Sequence, residues 1–515
     1  MSKKSRTQYS ILNIVAGLGG YAVNTILGLV CRMVFTRTLT AEYLGISGLF
    51  TNILSMLSLA ELGIGAAIGY ALYKPLATDD RDKVATLVQF YGRCYRAIGT
   101  IIFVLGLALM PFLQVLITHK PDIKESLYLI YIIYLFNTAS SYFFSYRTSL
   151  IIAAQQNYIV TSLSYSITVL QSILQMCWLF MTHEYLGYLI IQTVGTLAFN
   201  VTVSSIAVKK FPYIKQKNIN PLPRAEKKSL IRNVRALVIW KLSGLLVNST
   251  DNIIITFFKG LATVGLSSNY TLLSGTLNTL INQFFNGVTA SVGNLNAIES
   301  KTKKMSIFYS INMANFWMFG WAAIGICVVS SDIVKMLFGS GYVLPPSIPF
   351  ILAVNFYMVG MQSAVWTFKN TMGLFRPGRY LLILTAAINL VCSIWLGQIW
   401  GLFGILLATA ISRVCTNTWY DPYAVFKYGF CESVVPYFRK YLYYLCILVA
   451  TGFLCQLACS HIHVSVFAAV IIKIILCSII PNTVFFLCFF RSQEFVFFKQ
   501  LLARLYKKIK SRKKG

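Results

Sequence analysis

The sequence predicts an all-α polytopic membrane protein of about 14 transmembrane helices, arranged as two six-helix lobes related by a pseudo-twofold axis plus two C-terminal helices. Three observations predict it. Long apolar segments recur along the whole chain, lysine and arginine occupy every second gap between them, and a weak internal repeat returns at an offset near 220 residues. A helix needs about 20 apolar residues to cross a bilayer core. Such segments lie at 11–36, 44–72, 97–117, 126–146, 158–182, 185–207, 236–258, 264–290, 306–330, 348–368, 380–398, 401–418, 441–458 and 464–489. Hydrophobic residues make up 57% of the chain and charged residues 12%, a balance that soluble domains do not show.

The charges orient these spans. With a cytoplasmic N-terminus, 37 of the 45 Lys and Arg residues lie in or beside the inner gaps. The outer gaps hold Arg37, Lys120, Lys124, Lys259 and Lys335, and the spans themselves hold Arg32, Lys241 and Lys473, with Arg413, at the end of span 401–418, counted with the inner gap beside it. Positively charged loops stay cytoplasmic, so both termini are expected inside. A missed span would invert the alternation beyond it, and no inversion occurs. The net charge of +30 is then the positive-inside signal plus attraction for anionic lipid headgroups, not the footprint of a nucleic-acid partner. Lys3, Lys4 and Arg6 precede an apolar run that no small-residue cleavage site closes, so an uncleaved first helix is expected.

Neither the cysteines nor the histidines form a ligand set. The 12 cysteines are scattered singly, without a Cys-x-x-Cys pair. Cys455 and Cys459 are one helical turn apart, too far to bridge. His119, His183, His461 and His463 fall in outer gaps, and His461-Ile-His463 has no third ligand nearby. No metal or cofactor is expected.

The gaps divide the chain. The inner gap 208–235 carries Lys209, Lys210, Lys215, Lys217, Pro221, Pro223, Arg224, Lys227 and Lys228, and reads as a basic cytoplasmic linker. It separates an N-terminal lobe, 1–207, from a C-terminal lobe, 236–418, and residues 419–515 add spans 13 and 14 and a basic tail. The repeat supports two lobes. Leu44-Gly45-Ile46-Ser47-Gly48-Leu49-Phe50-Thr51 lies over Val264-Gly265-Leu266-Ser267-Ser268-Asn269-Tyr270-Thr271, Thr36 over Thr256, and Ser58 over Asn278. Tyr158 and Tyr380, and Leu186-Gly187 and Phe403-Gly404, continue it at offsets of 222 and 217. Parallel repeats of this kind are common in transporters, with the substrate path at their interface.

Polar stripes run along the corresponding helices. Span 1 carries Asn13, Gly17, Asn24, Gly28 and Arg32; span 2 carries Ser47, Thr51, Ser55, Ser58 and Glu61. Span 7 carries Lys241, Asn248 and Asn252 with Asp251 beside them, and span 8 carries Ser274, Asn278, Asn282 and Asn286. Spacings of three or four keep side chains near one helix face. The pattern predicts a central aqueous cavity; hydrogen bonding between packed helices is the alternative. A charge at mid-bilayer needs a partner, water or a purpose. Arg32 and Lys241 are candidate ligands for an anionic headgroup such as a phosphate, with Asn248, Asn252, Asn278 and Asn282 lining the path. Glu61 and Asp251 are candidate ion-coupling or gate residues, for a Na+ or H+ gradient. The offset sets Arg32 over Asn252, next to Asp251, so an Arg32–Asp251 pair closing an outer gate is a further expectation. Lys473 is expected to snorkel or pair locally.

Several of these residues carry a family resemblance. Glu61-Leu62-Gly63-Ile64-Gly65 followed by Leu72-Tyr73-Lys74-Pro75-Leu76-Ala77 resembles the second span and inner loop of bacterial polysaccharide flippases. So do Asn248-Ser249-Thr250-Asp251-Asn252-Ile253-Ile254-Ile255, Gly265-Leu266-Ser267-Ser268-Asn269-Tyr270, Gly401-Leu402-Phe403-Gly404 and Asp421-Pro422-Tyr423. The chain thus resembles the Wzx-type, polysaccharide-transport branch of the multidrug/oligosaccharidyl-lipid/polysaccharide (MOP) exporter superfamily. The resemblance implies a two-lobed helical fold with a central cationic cavity in the bacterial cytoplasmic membrane. It implies flipping of undecaprenyl-diphosphate-linked oligosaccharides from inner to outer leaflet for capsule, O-antigen or exopolysaccharide. A polysaccharide polymerase and glycosyltransferases are the implied partners, beside the lipid-linked substrate and the membrane lipids. Only Glu61, Asp251 and Asn252 carry over as motif members.

Three other functions remain to be weighed. A multidrug exporter of the same superfamily would favour an acidic cavity for cationic cargo, whereas Arg32 and Lys241 are basic. A lipid II flippase differs only in the sugar headgroup. A membrane polysaccharide polymerase needs outer catalytic groups, and the short outer gaps offer only Asp122 and Glu125 as near-paired carboxylates.

Overall fold

The structure is a computed structural model of the chain that describes residues 6–58, 71–73, 75–76, 78–117, 121–216, 250–282, 285, 300–372, 374, 378, 380–462 and 464–496, the side chains of 6–19 and 22 excepted. Among them every regular element is a helix. In order these are α1 (Arg6–Thr38), α2 (Ala41–Leu57), α3 (Arg81–Leu109), α4 (Leu127–Ala153), α5 (Asn157–Thr182) and α6 (Tyr185–Lys210). Then come α7, helical over 250–282, α8 (Lys301–Phe338), α9 (Ser347–Thr371), α10 (Leu381–Trp400), α11 (Leu402–Cys415), α12 (Asn417–Ala424), α13 (Val435–Ser460) and α14 (Val466–Phe489). Among the described residues nine helices are long and apolar enough to cross a membrane.

The helices follow the expected spans and overrun several of them. α3 begins at Arg81, well before the apolar segment at 97–117. Its first half is amphipathic: Val84, Leu87, Val88, Tyr91 and Tyr95 are buried, whereas Arg81, Arg93 and Arg96 are exposed. A hydropathy window registers only the stretch that meets lipid, and the helix continues as long as one face has something to pack on. Asp80 caps it, its side chain accepting from the Lys83 N–H at 3.0 Å.

The chain divides into two compact units, Met1–Gly265 and Leu266–Gly515. The division falls inside α7, and residues 217–235 of the basic gap 208–235 lie outside the described residues.

In the first unit α3 packs on α4 through glycines two turns apart. A Cβ at Gly106 would meet Leu135 at 2.3 Å, one at Gly99 would lie 3.2 Å from the Ala139 carbonyl oxygen, and one at Gly92 would lie 3.1 Å from the Tyr146 ring. Lipid offers no hydrophobic drive for helix association, so close backbone approach at small residues holds such pairs. α1 and α5 meet in the same way at Gly20 and Tyr165.

In the second unit α8 packs on α9, and Phe316, Phe319 and Phe356 fill the core. The two C-terminal helices pack on α8: Lys473 of α14 pairs with Asp332 at 2.7 Å, and Trp317 Nε1 donates to Asn482 at 2.7 Å. Lys473 therefore pairs locally, one of the two outcomes expected for it. α10 and α11 form a tight hairpin. Gly401 takes φ +58°, and a Cβ at Gly404 would sit 2.0 Å from the Leu396 carbonyl oxygen, so both glycines of the Gly401-Leu402-Phe403-Gly404 motif have a steric reason.

Candidate functional site

The repeat is visible as geometry where α1 gives way to α2 and at Gly260 within α7. α1 ends at Thr38 and α2 begins after Thr40; 220 residues later, Gly260 takes φ +79° and breaks the helical path of α7. Thr36 and its counterpart Thr256 are both buried, as are Phe50 and Tyr270.

From these breaks the first turn of α2 and the turn after Gly260 meet. A Cβ at Gly45 would lie 1.9 Å from the Leu261 carbonyl oxygen, and a Cβ at Gly265 would lie 1.9 Å from the Ala41 carbonyl oxygen. Residues 41 and 261, like 45 and 265, differ by the repeat offset. The contact is therefore reciprocal, as across a twofold axis. With no Cβ, each glycine brings a Cα–H against a carbonyl oxygen, an interaction of about 0.5–1 kcal/mol. Asn252 joins it one turn inward: its Nδ2 lies 3.4 Å from the Cβ position of Gly48, and Val264 Cγ1 lies 3.3 Å from that position.

The same turn of α2 is tied to its own surroundings. Tyr43 donates to the Glu125 carboxylate, and Glu42 accepts from the Asp122 N–H. The Tyr43 ring lies 4.7 Å from that of Tyr185, and the Tyr185 and Tyr134 hydroxyls are 3.0 Å apart. The Asp122 segment and Glu125 are thus held by α2, which gives them an architectural role in place of a free carboxylate pair.

The polar stripes fall on accessible faces. On α2, Ser47, Ser55 and Ser58 are partly exposed and Thr51 is exposed, whereas Tyr43, Leu44, Ile46, Phe50, Ile53 and Leu54 are buried. On α7, Thr271 is exposed, and Asn278 and Asn282 are half-buried and joined by an Nδ2–Oδ1 hydrogen bond of 2.9 Å. That bond is the interhelix-type polarity of the stripe turned inward along one helix.

Arg32 is half-buried on α1, about 9 Å short of the helix end at 1.5 Å per residue, beside Cys31 and the half-buried Tyr188. Asp251 is half-buried on α7, and the Asn252 carbonyl accepts from Thr256 Oγ1 at 2.7 Å. Both Arg32 and Asp251 engage partners. Lys241, Asn248 and Glu61 lie outside the described residues.

Two features escaped the sequence reading. The Gly45–Gly265 crossing was within reach, because applying the repeat offset to glycines alone finds it. The second is in the second unit, where buried Asp421 accepts from Lys369 Nζ at 2.5 Å and from Trp366 Nε1 at 3.0 Å. It explains the acid of the Asp421-Pro422-Tyr423 motif as an anchor of α12 on α9. Among the described residues no group of three or more His, Cys, Asp or Glu is disposed to hold a metal.

Comparison with known proteins agrees with this architecture. A lipid II flippase MurJ in an inward closed conformation superposes with a TM-score of 0.65 over 96% of this chain and 100% of that one, at 14% identity. An inward-facing multidrug resistance MATE family transporter of the MOP superfamily superposes at 0.56 over 78% of this chain and 94% of that one, also at 14% identity. None of the curated proteins matches the sequence. The helices and their order share the fold of these two transporters. The chain belongs to the polysaccharide biosynthesis protein family, whose model matches residues 11–320.

Proposed function

We propose that this protein flips an undecaprenyl-diphosphate-linked oligosaccharide from the inner to the outer leaflet of a bacterial cytoplasmic membrane, supplying surface polysaccharide synthesis. The observation that carries the reading is Arg32, a guanidinium half-buried within an apolar helix of a polysaccharide-family chain. A charge within a span carries an insertion cost that peaks at about 2.5–3.5 kcal/mol at the centre and is smaller nearer the end, where Arg32 lies, and a guanidinium there suggests a use. A diphosphate supplies one, because arginine matches phosphate oxygens with paired N–H donors. The sugar then needs a wet path, for which the stripes of α2 and α7 are suited, while the lipid tail stays in the bilayer. Lys241, Asn248, Asn252, Asn278 and Asn282 complete the proposed path, and two lobes rocking about it give alternating access. Asp251 and Glu61 are the proposed carboxylates for coupling to a Na+ or H+ gradient, or for an outer gate in which Asp251 meets Arg32. A polymerase and glycosyltransferases would act on either side of the step.

A second reading, transport of the peptidoglycan carrier, is favoured by the fold likeness to a lipid II flippase over 96% of the chain. One experiment separates the two. Proteoliposomes holding either a fluorescent undecaprenyl-diphosphate oligosaccharide or lipid II are compared for wild type, Arg32→Ala and Lys241→Ala. Flipping of the oligosaccharide carrier that falls at least tenfold in Arg32→Ala supports the proposal. Flipping of lipid II alone favours the second reading, and flipping of neither by folded protein sinks both.

A further inference from the structure

The second unit buries polar groups that its own packing leaves unanswered. On α8, Asn312 and Asn315 are fully buried, and none of their four amide atoms has a hydrogen-bond partner among the described residues. The hydroxyl of Tyr309, three residues before Asn312, has none there either, nor does that of buried Tyr357 on α9. Asn482 on α14 shows the ordinary outcome: its amide accepts from Trp317 Nε1 and donates to the Ser478 carbonyl, at 2.7 Å each. A buried donor or acceptor left bare costs its full desolvation, so such groups are nearly always bonded to protein or to ordered water.

Packing contacts bring these groups together. α8 meets α9 at Phe308–Phe368 and Phe319–Phe356, with ring centroids 5.2 and 5.4 Å apart. Asn312 and Asn315 lie between these two contacts on the same face of α8, at spacings of four and three. α8 meets α13 at Phe308–Tyr437, 5.9 Å, and at Phe316–Tyr444, 4.6 Å. The Tyr357 ring reaches from α9 to within 6.4 Å of Tyr441, which lies between Tyr437 and Tyr444. Its hydroxyl therefore enters the stretch of seam between α8, α9 and α13 that the two asparagines share. Tyr309, Asn312 and Asn315, each three apart, form one stripe along α8. The stripe starts beside Lys440, whose ammonium lies 4.2 Å from the Tyr309 ring and is partly open to solvent. Amides and phenols carry no charge, and together they offer both donors and acceptors. Water matches them, because it donates and accepts at once and a buried molecule needs two to four polar partners.

We propose that the seam between α8, α9 and α13 is a binding site for a short file of buried water, held by Asn312 and Asn315, closed by the Tyr357 hydroxyl and entered past Tyr309. α13 is then joined to the α8–α9 pair in part by exchangeable, water-mediated bonds. The site is independent of the cargo.

The test exposes the full-length protein in detergent to a short pulse of synchrotron X-rays, which makes hydroxyl radicals from water in place. Side-chain oxidation is read by mass spectrometry. Tyr131 is the dry control: it too is buried, and its hydroxyl donates to the Gly106 carbonyl at 3.0 Å. Tyr357 is expected to be oxidised at least tenfold faster than Tyr131. Asn312→Leu and Asn315→Leu together give the seam apolar groups of similar size, and should bring Tyr357 down to the rate of Tyr131. Each leucine alone should lower the Tyr357 rate about threefold, so the test survives a double variant that does not fold. Equal rates for the two tyrosines in wild type, as amides bonded only to each other would give, overturn the proposal. So does a Tyr357 rate that the folded leucine variants leave unchanged. None of these readouts needs a substrate, so failure of the transport reading would leave the water site standing.

Discussion

The glycine crossing of the first unit and the α12–α9 junction of the second are joined by opposite means. At the crossing two glycine Cα–H groups meet two carbonyl oxygens, with the Val264 and Asn252 side chains beside Gly48 one turn on. At the α12–α9 junction the Asp421 carboxylate, buried, is held by an ammonium and an indole N–H, next to a cluster of Phe308, Phe368, Phe426, Phe430 and Tyr437. The first contact is worth about 1–2 kcal/mol by its two Cα–H interactions. The second stores far more against disruption, because removing one partner of a buried pair costs about 3–5 kcal/mol. One junction is made mainly by backbone at two glycines, and the other by a buried charge pair.

The largest expected effect breaks the strong side. Lys369→Met leaves the Asp421 carboxylate buried against Trp366 alone, and thermal stability in detergent should drop by about 3–5 kcal/mol. Lys369→Met with Asp421→Leu together should recover most of that loss. A double variant as unstable as the single one would show that the pair is not what holds α12 on α9.

Next come the glycine contacts of the first unit. Gly106→Leu drives a side chain into Leu135, where a Cβ alone already falls at 2.3 Å, and overpacking of this kind costs about 1–3 kcal/mol. Gly45→Leu should cost at least as much in melting temperature, because its Cβ would fall 1.9 Å from the Leu261 carbonyl oxygen, and backbone cannot rotate aside as the Leu135 side chain can. A clearly smaller melting shift for Gly45→Leu would show that the backbone contact yields more readily than the side-chain one.

The smallest effect is electrostatic. Glu494, just beyond α14, is partly buried, which pushes its pKa up, but the Lys440 ammonium and hydrogen bonds from Lys440, its own backbone N–H and Ser492 outweigh that and leave it below the ordinary glutamate value. A carboxyl whose folded pKa is depressed adds stability above its unfolded pKa, near 4.3, and loses it as pH falls through the lower folded value. Wild type should therefore lose up to about 1 kcal/mol relative to Glu494→Gln between pH 6 and pH 3, in melting curves recorded at matched salt. Parallel pH profiles for the two would remove the pair from the account.

Much of the helical framework could be read from the sequence because lipid imposes a simple rule. α5, α6, α9 and α14 each begin within two residues of their expected spans, since a run of about 20 apolar residues has few alternatives to a spanning helix. The long inner half of α3 could not be read from apolar runs, because its burial depends on partners elsewhere in the chain. The candidate site was legible by residue type and less so by contact. Asn252 was picked out for its polarity, and the structure sets its amide against α2 near Gly48. The crossing itself involves no side chain, so no reading by side-chain chemistry marks it; only the repeat does. Asp421 and Lys369 are 52 residues apart in sequence, and nothing local predicts that they meet.

The repeat offset is also a delay. Gly45 and Gly265 are separated by 220 residues of chain, and synthesis proceeds at about 5–20 residues per second, so α2 waits about 10–40 s for the turn that covers it. During that interval its first turn has Glu125 and the Asp122 segment, made soon after it, and then the Tyr185 ring to hold it upright. The latch at the outer loop thus also serves membrane biogenesis, as a temporary brace on a helix whose final neighbour has yet to be translated.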